Sequence, residues 1–165
     1  MKFRLLILPI CVIVLLMANC KKREVDNDKP STSSIALKKN GIQWAETTAV
    51  GTFNTEDSIV SVLGTENTET FYIRFKKPVY NTRLDALDAF SLIAPFFGSA
   101  AISDAYRLDP TKPNRLQILA MDYINKRIVG DFHLHLKREE GYGGEEDETN
   151  IYQGRFDVIL DEFSF

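Results

Sequence analysis

The sequence has few of the side chains that usually carry chemistry. Its 165 residues include two cysteines, two histidines and one tryptophan. Both cysteines, Cys11 and Cys20, lie near the N-terminus, so the rest of the chain has no thiol for a disulfide, a thiolate metal site or a nucleophile. The G-x-S-x-G, P-loop and dinucleotide-binding G-x-G-x-x-G motifs are also missing. These absences argue against thiol-dependent and nucleotide-dependent enzymes.

The chain also has no apolar run long enough to cross a membrane. The apolar stretch at 5–17 is shorter than the ~20 residues of a spanning helix, and it contains Pro9. Lys2 and Arg4 precede it, and a charged segment at 21–24 follows. A short apolar core behind a positive start is typical of a secretory signal peptide, which we predict over residues 1–19.

The end of this stretch, Leu16-Met17-Ala18-Asn19-Cys20, resembles the lipobox of bacterial lipoproteins. Asn19 departs from the pattern, which usually has Gly, Ala or Ser there. The resemblance implies cleavage before Cys20 and a thioether-linked diacylglycerol on its sulfur. Because stable anchoring takes two or more acyl chains, a lipidated Cys20 would suffice. We therefore expect an outer-membrane lipoprotein, on the periplasmic or the cell-surface face, whose first partner is membrane lipid.

The composition divides the chain into three parts. After the signal peptide, residues 20–34 are charged and then rich in Ser and Thr, which predicts a flexible tether. Residues 35–165 form a single β domain, long enough to bury one core without disulfides. Without residues 1–19 the chain keeps 18 basic and 23 acidic residues, a net charge of −5. We expect a monomer that does not bind nucleic acid.

Beyond the tether the hydrophobic pattern has period two, which indicates strands. Asn40-Gly41 predicts a type I′ hairpin that sets Leu37 opposite Trp44. The prediction is an all-β fold: an antiparallel β-sandwich or a partly closed barrel of seven to nine strands. A capping box at 82–85 adds one short helix at 83–92. The stretch 96–101 is read as a loop tucked under the sheet or the rim of a pocket. Strands are predicted at 35–38, 42–45, 58–63, 70–76, 105–108, 116–123, 127–137 and 150–160.

Two C-terminal strands share a pattern of glycine followed by phenylalanine two residues later. It occurs at Gly130 and Phe132 and again at Gly154 and Phe156. If the strands pair with Phe132 opposite Phe156, each glycine lies beside a large side chain, a known device for curving sheets. The alternative is that two core strands merely share common residue types.

Three short motifs resemble a family of small Gram-negative lipoproteins classed as a domain of unknown function. In that family an NGxxW hairpin opens the domain and GxF strands close it. The resemblance implies an exported all-β lipoprotein and transfers no active site. The motifs are Asn40-Gly41-Ile42-Gln43-Trp44, Asn125-Lys126-Arg127-Ile128-Val129-Gly130-Asp131-Phe132 and Gly154-Arg155-Phe156-Asp157-Val158.

Candidate metal ligands are few. His133 and His135 have the i, i+2 spacing of strand-borne metal sites, and they would need carboxylates such as Glu139 or Glu140 to complete a zinc site. The alternative, which we favour, is the polar face of an amphipathic strand. The acidic loop at 139–148 lacks the ligand order of a calcium loop and is typical of a solvated hairpin tip. No spacing singles out a carboxylate pair for glycoside hydrolysis.

The sequence therefore predicts no catalytic residue, no metal site and no cofactor. Tyr142 and Tyr152 could stack on sugars, although anchoring in a core or loop is the commoner use of tyrosine. The leading hypothesis is a non-enzymatic binding or accessory lipoprotein that recognises a protein, a glycan or a small ligand. The alternative is a hydrolase or metal-dependent enzyme that uses His133, His135 and loop carboxylates.

Overall fold

The computed structural model describes residues 32–77, 87–142 and 148–163. The predicted signal peptide, Cys20 and most of the predicted tether lie outside these ranges. The described residues contain strands and turns but no helix. The strands are β1 (Ser34–Lys39), β2 (Ile42–Asn54), β3 (Ile59–Glu66), β4 (Glu69–Lys76), β5 (Asp88–Ile93), β6 (Asp104–Leu108), β7 (Arg115–Asp122), β8 (Arg127–Arg138) and β9 (Thr149–Phe163).

All nine strands belong to one mixed sheet. Strands β1 to β6 pair antiparallel in sequence order, and β8 pairs antiparallel with β6, β7 and β9. Strand β9 also pairs antiparallel with β1 and, near its end, parallel with β2. The prediction of an all-β fold is confirmed, but the sheet is mixed rather than purely antiparallel. The chain of strand pairings closes on itself, because β9 pairs with β8 as well as with β1 and β2. The sheet is still not a regular barrel, because β1 lies between β9 and β2 and because β7 pairs with β8 outside this ring.

The period-two pattern places one face of each strand in the core. In β8, Phe132, Leu134 and Leu136 are buried, whereas His133 and His135 between them are partly exposed. This alternation explains why the strands predicted from 58–63 onward match β3, β4 and β6 to β9 within three residues at each end. Buried side chains from all nine strands form one continuous cluster, to which β7 contributes Leu116.

The first hairpin has the predicted turn but a different register. Asn40 and Gly41 have φ angles of 52° and 80°, as a type I′ turn requires. Leu37 lies opposite Ala45 rather than Trp44, because a β-bulge follows Leu37 and leaves Trp44 without a partner on β1. The predicted Leu37–Trp44 pair is therefore wrong. The bulge re-aims the Trp44 side chain toward the core.

The two Gly-x-Phe segments pair, but two residues away from the predicted register. Gly130 lies opposite Phe156, and Phe132 lies opposite Gly154. The two phenylalanine rings are therefore diagonal neighbours, with centroids 6.5 Å apart. A Cβ atom on Gly130 would lie 2.5 Å from Cζ of Phe156. Each glycine thus makes room for a phenylalanine or for the adjoining strand, as the curved-sheet interpretation requires.

The predicted helix at 83–92 is wrong in its second half, and its first half lies outside the described residues. Asp88–Ile93 is strand β5, with Ala89, Ser91 and Ile93 buried. Strand pairing between β4 and β6 outweighs the weak helical pattern, because it satisfies the backbone and buries this alternating face. The next segment is not tucked under the sheet, since the side chains of Phe96 and Phe97 are 64% and 82% exposed.

One edge of β8 is shared between two strands. Strand β7 pairs with the edge as far as His133, and β6 pairs with it from Leu136 onward. The loop between β6 and β7 bridges the step. The Asp109 backbone N–H donates to the His135 carbonyl oxygen at 2.8 Å, and the His135 N–H donates to Asn114 Oδ1 at 2.7 Å. This loop therefore holds β7 beside β8.

Candidate functional site

Five polar side chains form a straight row across the exposed face of the sheet. The strand registers place Arg115 beside His133, His133 beside Gln153, Gln153 beside Lys38, and Lys38 beside Gln43. All five side chains are exposed or partly exposed. Because neighbouring strands lie about 4.8 Å apart, the row extends about 19 Å across β7, β8, β9, β1 and β2. We call it the polar row.

The polar row lies in a groove of about 710 Å³. Pro113, in the loop that holds β7, lines the groove next to Arg115. Asp131, Arg155 and Ala36 form the adjoining row, in which neighbouring residues also pair across strands. The small Ala36 side chain leaves space between the larger side chains around it. The groove therefore runs across the strands and is lined by both polar and apolar residues.

The groove carries more positive than negative charge. Arg115 donates to Asp131 Oδ2 at 3.1 Å, so this acid is already paired. Lys38 and Arg155 make no ion pair within the part of the chain that the structure describes. The other Asp131 oxygen, Oδ1, is buried and has no hydrogen-bond partner among the described residues. The groove thus offers two cations, Lys38 and Arg155, that make no ion pair among the described residues.

The two candidate metal ligands, His133 and His135, do not form a metal site with the described residues. The rings of His133 and His135 are in edge-to-face contact, with centroids 5.1 Å apart. Glu139 pairs with Arg107 instead, and Glu140 is exposed. Across the described ranges, no three His, Cys, Asp or Glu side chains come close enough to hold one ion. His133 lines the groove, whereas His135 lies under the loop that bridges β6 and β7.

The other predicted features have different outcomes. Tyr152 is fully buried and stacks on Phe71 with ring centroids 4.7 Å apart, so it is a core residue. Tyr142 is partly exposed. Residues 143–147 of the acidic loop lie outside the described residues, as does the predicted lipidation site Cys20.

A cluster of buried polar side chains, which the sequence analysis missed, closes one end of the core. Its centre is Glu69, which is only 6% exposed. Four side chains donate to its carboxylate: Lys39 at 3.2 Å, Trp44 at 2.9 Å, and Ser91 and Tyr152 at 2.5 Å each. We call these five residues the Glu69 cluster. Charge-assisted hydrogen bonds of this kind are what a buried carboxylate needs to offset its lost hydration.

A second buried pair lies beside the Glu69 cluster. Arg138 Nε lies 3.0 Å from the buried Asp104, and Arg138 Nη2 donates to the Tyr106 hydroxyl at 3.1 Å. That hydrogen bond with Tyr106 raises the pKa of Arg138. Lys39 Nζ lies about 6 Å from the centroids of both the Tyr106 and Tyr152 rings, within cation–π range. None of the five residues of the Glu69 cluster lines the groove.

A local signal for Glu69 exists in the sequence. Counting back from Phe75, Ile73 and Phe71 in steps of two reaches position 69 on the buried face of β4. Because residues 65–70 are polar, the predicted strands stop at 63 and resume at 70, which places Glu69 in a turn. In the structure the turn is only Asn67 and Thr68. The polar row had no such signal, because it depends on the registers of five strands.

Comparisons with other proteins add no family. No protein-family model, no curated protein and no solved structure matches the chain. Within the described ranges there is also no helix with the length and apolarity needed to cross a bilayer.

Proposed function

We propose that this protein is a lipid-anchored envelope lipoprotein that acts as a non-enzymatic binding module. In this proposal its partly closed barrel hangs from the outer membrane by acylated Cys20, and the groove binds the ligand. The signal-like N-terminus and the lipobox resemblance support the anchor. The resemblance to small Gram-negative lipoproteins supports the location.

The observation that carries the binding proposal is the polar row. Hydrogen-bonding side chains from five strands face the same open groove in one line, and this line requires four separate strand registers. Lys38 and Gln153, at the centre of the row, are exposed. Concave surfaces with a few convergent polar groups are the usual setting of binding sites.

The anchor is tested by replacing Cys20 with Ser and labelling cells with a fatty-acid analogue. The parent should carry label in the membrane fraction, and the variant should carry none, because only the Cys20 sulfur can form the thioether. Cys11→Ser is the matched control and should label like the parent. Label retained on Cys20→Ser would reject the lipoprotein proposal.

The groove is tested with the full-length protein in detergent against a panel of soluble polymers. The panel contains acidic, neutral and basic oligosaccharides and acidic and basic peptides. At least one member should bind, and Gln153→Trp should abolish that binding by filling the centre of the groove. Arg74→Trp on β4, outside the groove, should leave it intact. Binding to no member, or binding that Gln153→Trp does not change, would reject the groove as the ligand site.

A further inference from the structure

The shape of the groove selects an extended ligand. The polar row is about 19 Å long, whereas the groove is only as wide as two adjacent rows of side chains. A compact small molecule would touch only two or three members of the row. A linear chain lying across the strands would touch all five.

The charge of the groove selects an anionic ligand. Lys38 and Arg155 lie on neighbouring strands without an ion-pair partner among the described residues, and Arg115 holds the single acid of the groove. The whole chain has a net charge of −3, so this concentration of positive charge is opposite in sign to the molecule. Carboxylates or other fixed anions would neutralise it.

The uncharged members of the row favour a ligand that also carries hydroxyl groups. Gln153 and Gln43 flank Lys38, so amides and a cation alternate along the row. An amide both donates and accepts, as a hydroxyl does. Acid groups and hydroxyls repeated along a linear chain are the chemistry of an acidic polysaccharide.

Two other anionic polymers fit less well. An extended peptide usually binds by adding a strand to a free sheet edge, but the centre of the row lies on β9 and β1, which are paired on both sides. Single-stranded nucleic acid requires several exposed aromatic rings on which successive bases stack. Among the described residues, the rings that line the groove are the buried Phe132 and the partly exposed imidazole of His133.

We propose that the groove binds a linear acidic polysaccharide whose carboxylates pair with Lys38, Arg155 and Arg115 and whose hydroxyls meet Gln43 and Gln153. This inference rests on the proposed function, because it names the ligand class of the same groove. It also implies that binding weakens as salt is added, since the cations are exposed and screened.

The test measures binding of the full-length protein in detergent to polygalacturonate oligosaccharides. Three comparisons accompany it: the same oligosaccharides with methyl-esterified carboxylates, poly-glutamate of similar length, and the acidic oligosaccharide at high salt. The acidic oligosaccharide should bind at least about tenfold more tightly than the methyl ester. Lys38→Gln combined with Arg155→Gln should weaken that binding at least about tenfold. Lys76→Gln, an exposed lysine outside the groove, should leave it unchanged.

The contrary outcomes separate the two proposals. Equal binding of the ester, tighter binding of poly-glutamate, or an unchanged affinity in the double variant would overturn the acidic-polysaccharide proposal. If Gln153→Trp still abolishes binding of another polymer from the panel, the groove remains the ligand site and only its ligand class is wrong. If no polymer binds in a way that depends on Gln153, the proposed function fails as well.

Discussion

Glu69 shows how a single acidic residue can determine the packing at one end of the molecule. Its four donors come from β1, β2, β5 and β9, so one carboxylate connects five strands. Removing a buried partner leaves the remaining groups without hydration or hydrogen bonds, which costs more than the bonds themselves contribute.

Glu69→Ala should lower the free energy of unfolding by about 3–5 kcal/mol, because it leaves Lys39 and three neutral donors unsatisfied. Urea denaturation followed by tryptophan fluorescence measures the change. Glu66→Ala, an acid at the end of the preceding strand, is the control and should stay within about 0.5 kcal/mol. Equal effects of the two substitutions would show that the cluster does not stabilise the fold.

Lys39→Met and Glu69→Gln should be non-additive. Either change alone breaks the ion pair, which has an N···O distance of 3.2 Å, so the second change has less left to remove. The double variant should therefore lose less stability than the sum of the single variants, by about 1 kcal/mol or more. Strict additivity in denaturant melts would mean that the two side chains do not interact.

The Asp157 carboxylate should make stability depend on pH. The bidentate hydrogen bonds from Arg127 hold the pKa of Asp157 below its ordinary value. Asp157 therefore contributes full stability above the ordinary aspartate pKa of about 3.9, and this contribution is lost as the pH falls through the lower pKa of the folded state.

Asp157→Asn should accordingly destabilise the protein near about pH 7 and have less effect near about pH 2. Denaturant melts across this range give the difference. Asp161→Asn, an exposed acid on the same strand, is the control and should shift the curve much less. A constant difference between parent and Asp157→Asn at all pH values would contradict the Arg127 mechanism.

At the scale of elements, the β8–β9 pair determines how closely strands approach. A Cβ on Gly154 would lie 2.6 Å from Leu37 Cβ and also collide with the backbone of β1. A Cβ on Gly130 would instead meet mainly the end of the Phe156 ring. A backbone yields less than a side chain, so the two glycines differ in what they tolerate.

Gly154→Ala should therefore destabilise more than Gly130→Ala. Gly130→Ala should cost less in the background of Phe156→Leu, because the smaller side chain makes room for the new methyl group. Gly154→Ala should show no such rescue. Denaturant melts of the three single and the two double variants test this, and rescue of Gly154→Ala by Phe156→Leu would mean that the register is wrong.

The local hydrophobic pattern predicted most of the strands. It failed where pairing with strands distant in sequence determines the structure. The 83–92 segment has a capping box, but its second half pairs with β4 and β6, which lie outside the segment that contains the helical pattern. The Leu37–Trp44 prediction failed because the hydrophobic pattern of the hairpin does not reveal the bulge after Leu37. The hydrogen bond that Trp44 donates to Glu69 links it to a different hairpin and was not visible in that pattern. The β8–β9 register failed by two residues because a shift of two preserves which face is buried.

At the scale of the whole molecule, the start of the domain is anchored by residues that precede β1. Ser33 accepts a hydrogen bond from the Ile159 N–H through its Oγ, at 2.9 Å, and from the Ala49 N–H through its carbonyl oxygen, at 3.0 Å. The predicted boundary at residue 35 therefore leaves out a residue that stabilises the sheet.

A chain that begins at Thr32 should fold as a monomer with a strand-dominated circular dichroism spectrum. A chain that begins at Ile35 should have a lower melting temperature, because it lacks both Ser33 contacts. A chain that begins at Met1 with Ser33→Ala serves as the control and should lose only the Oγ contact. Equal melting temperatures for the Thr32 and Ile35 chains would show that Ser33 does not stabilise the fold.

The location of β9 sets the order in which the molecule can form. Strand β1 is held between β2 and β9, so Ser34 finds its partner Asp157 only after nearly the whole sequence has been made. Such distant pairings make folding slow, typically milliseconds to seconds. A sheet that cannot close until its last strand arrives stays open for as long as the chain is being synthesised.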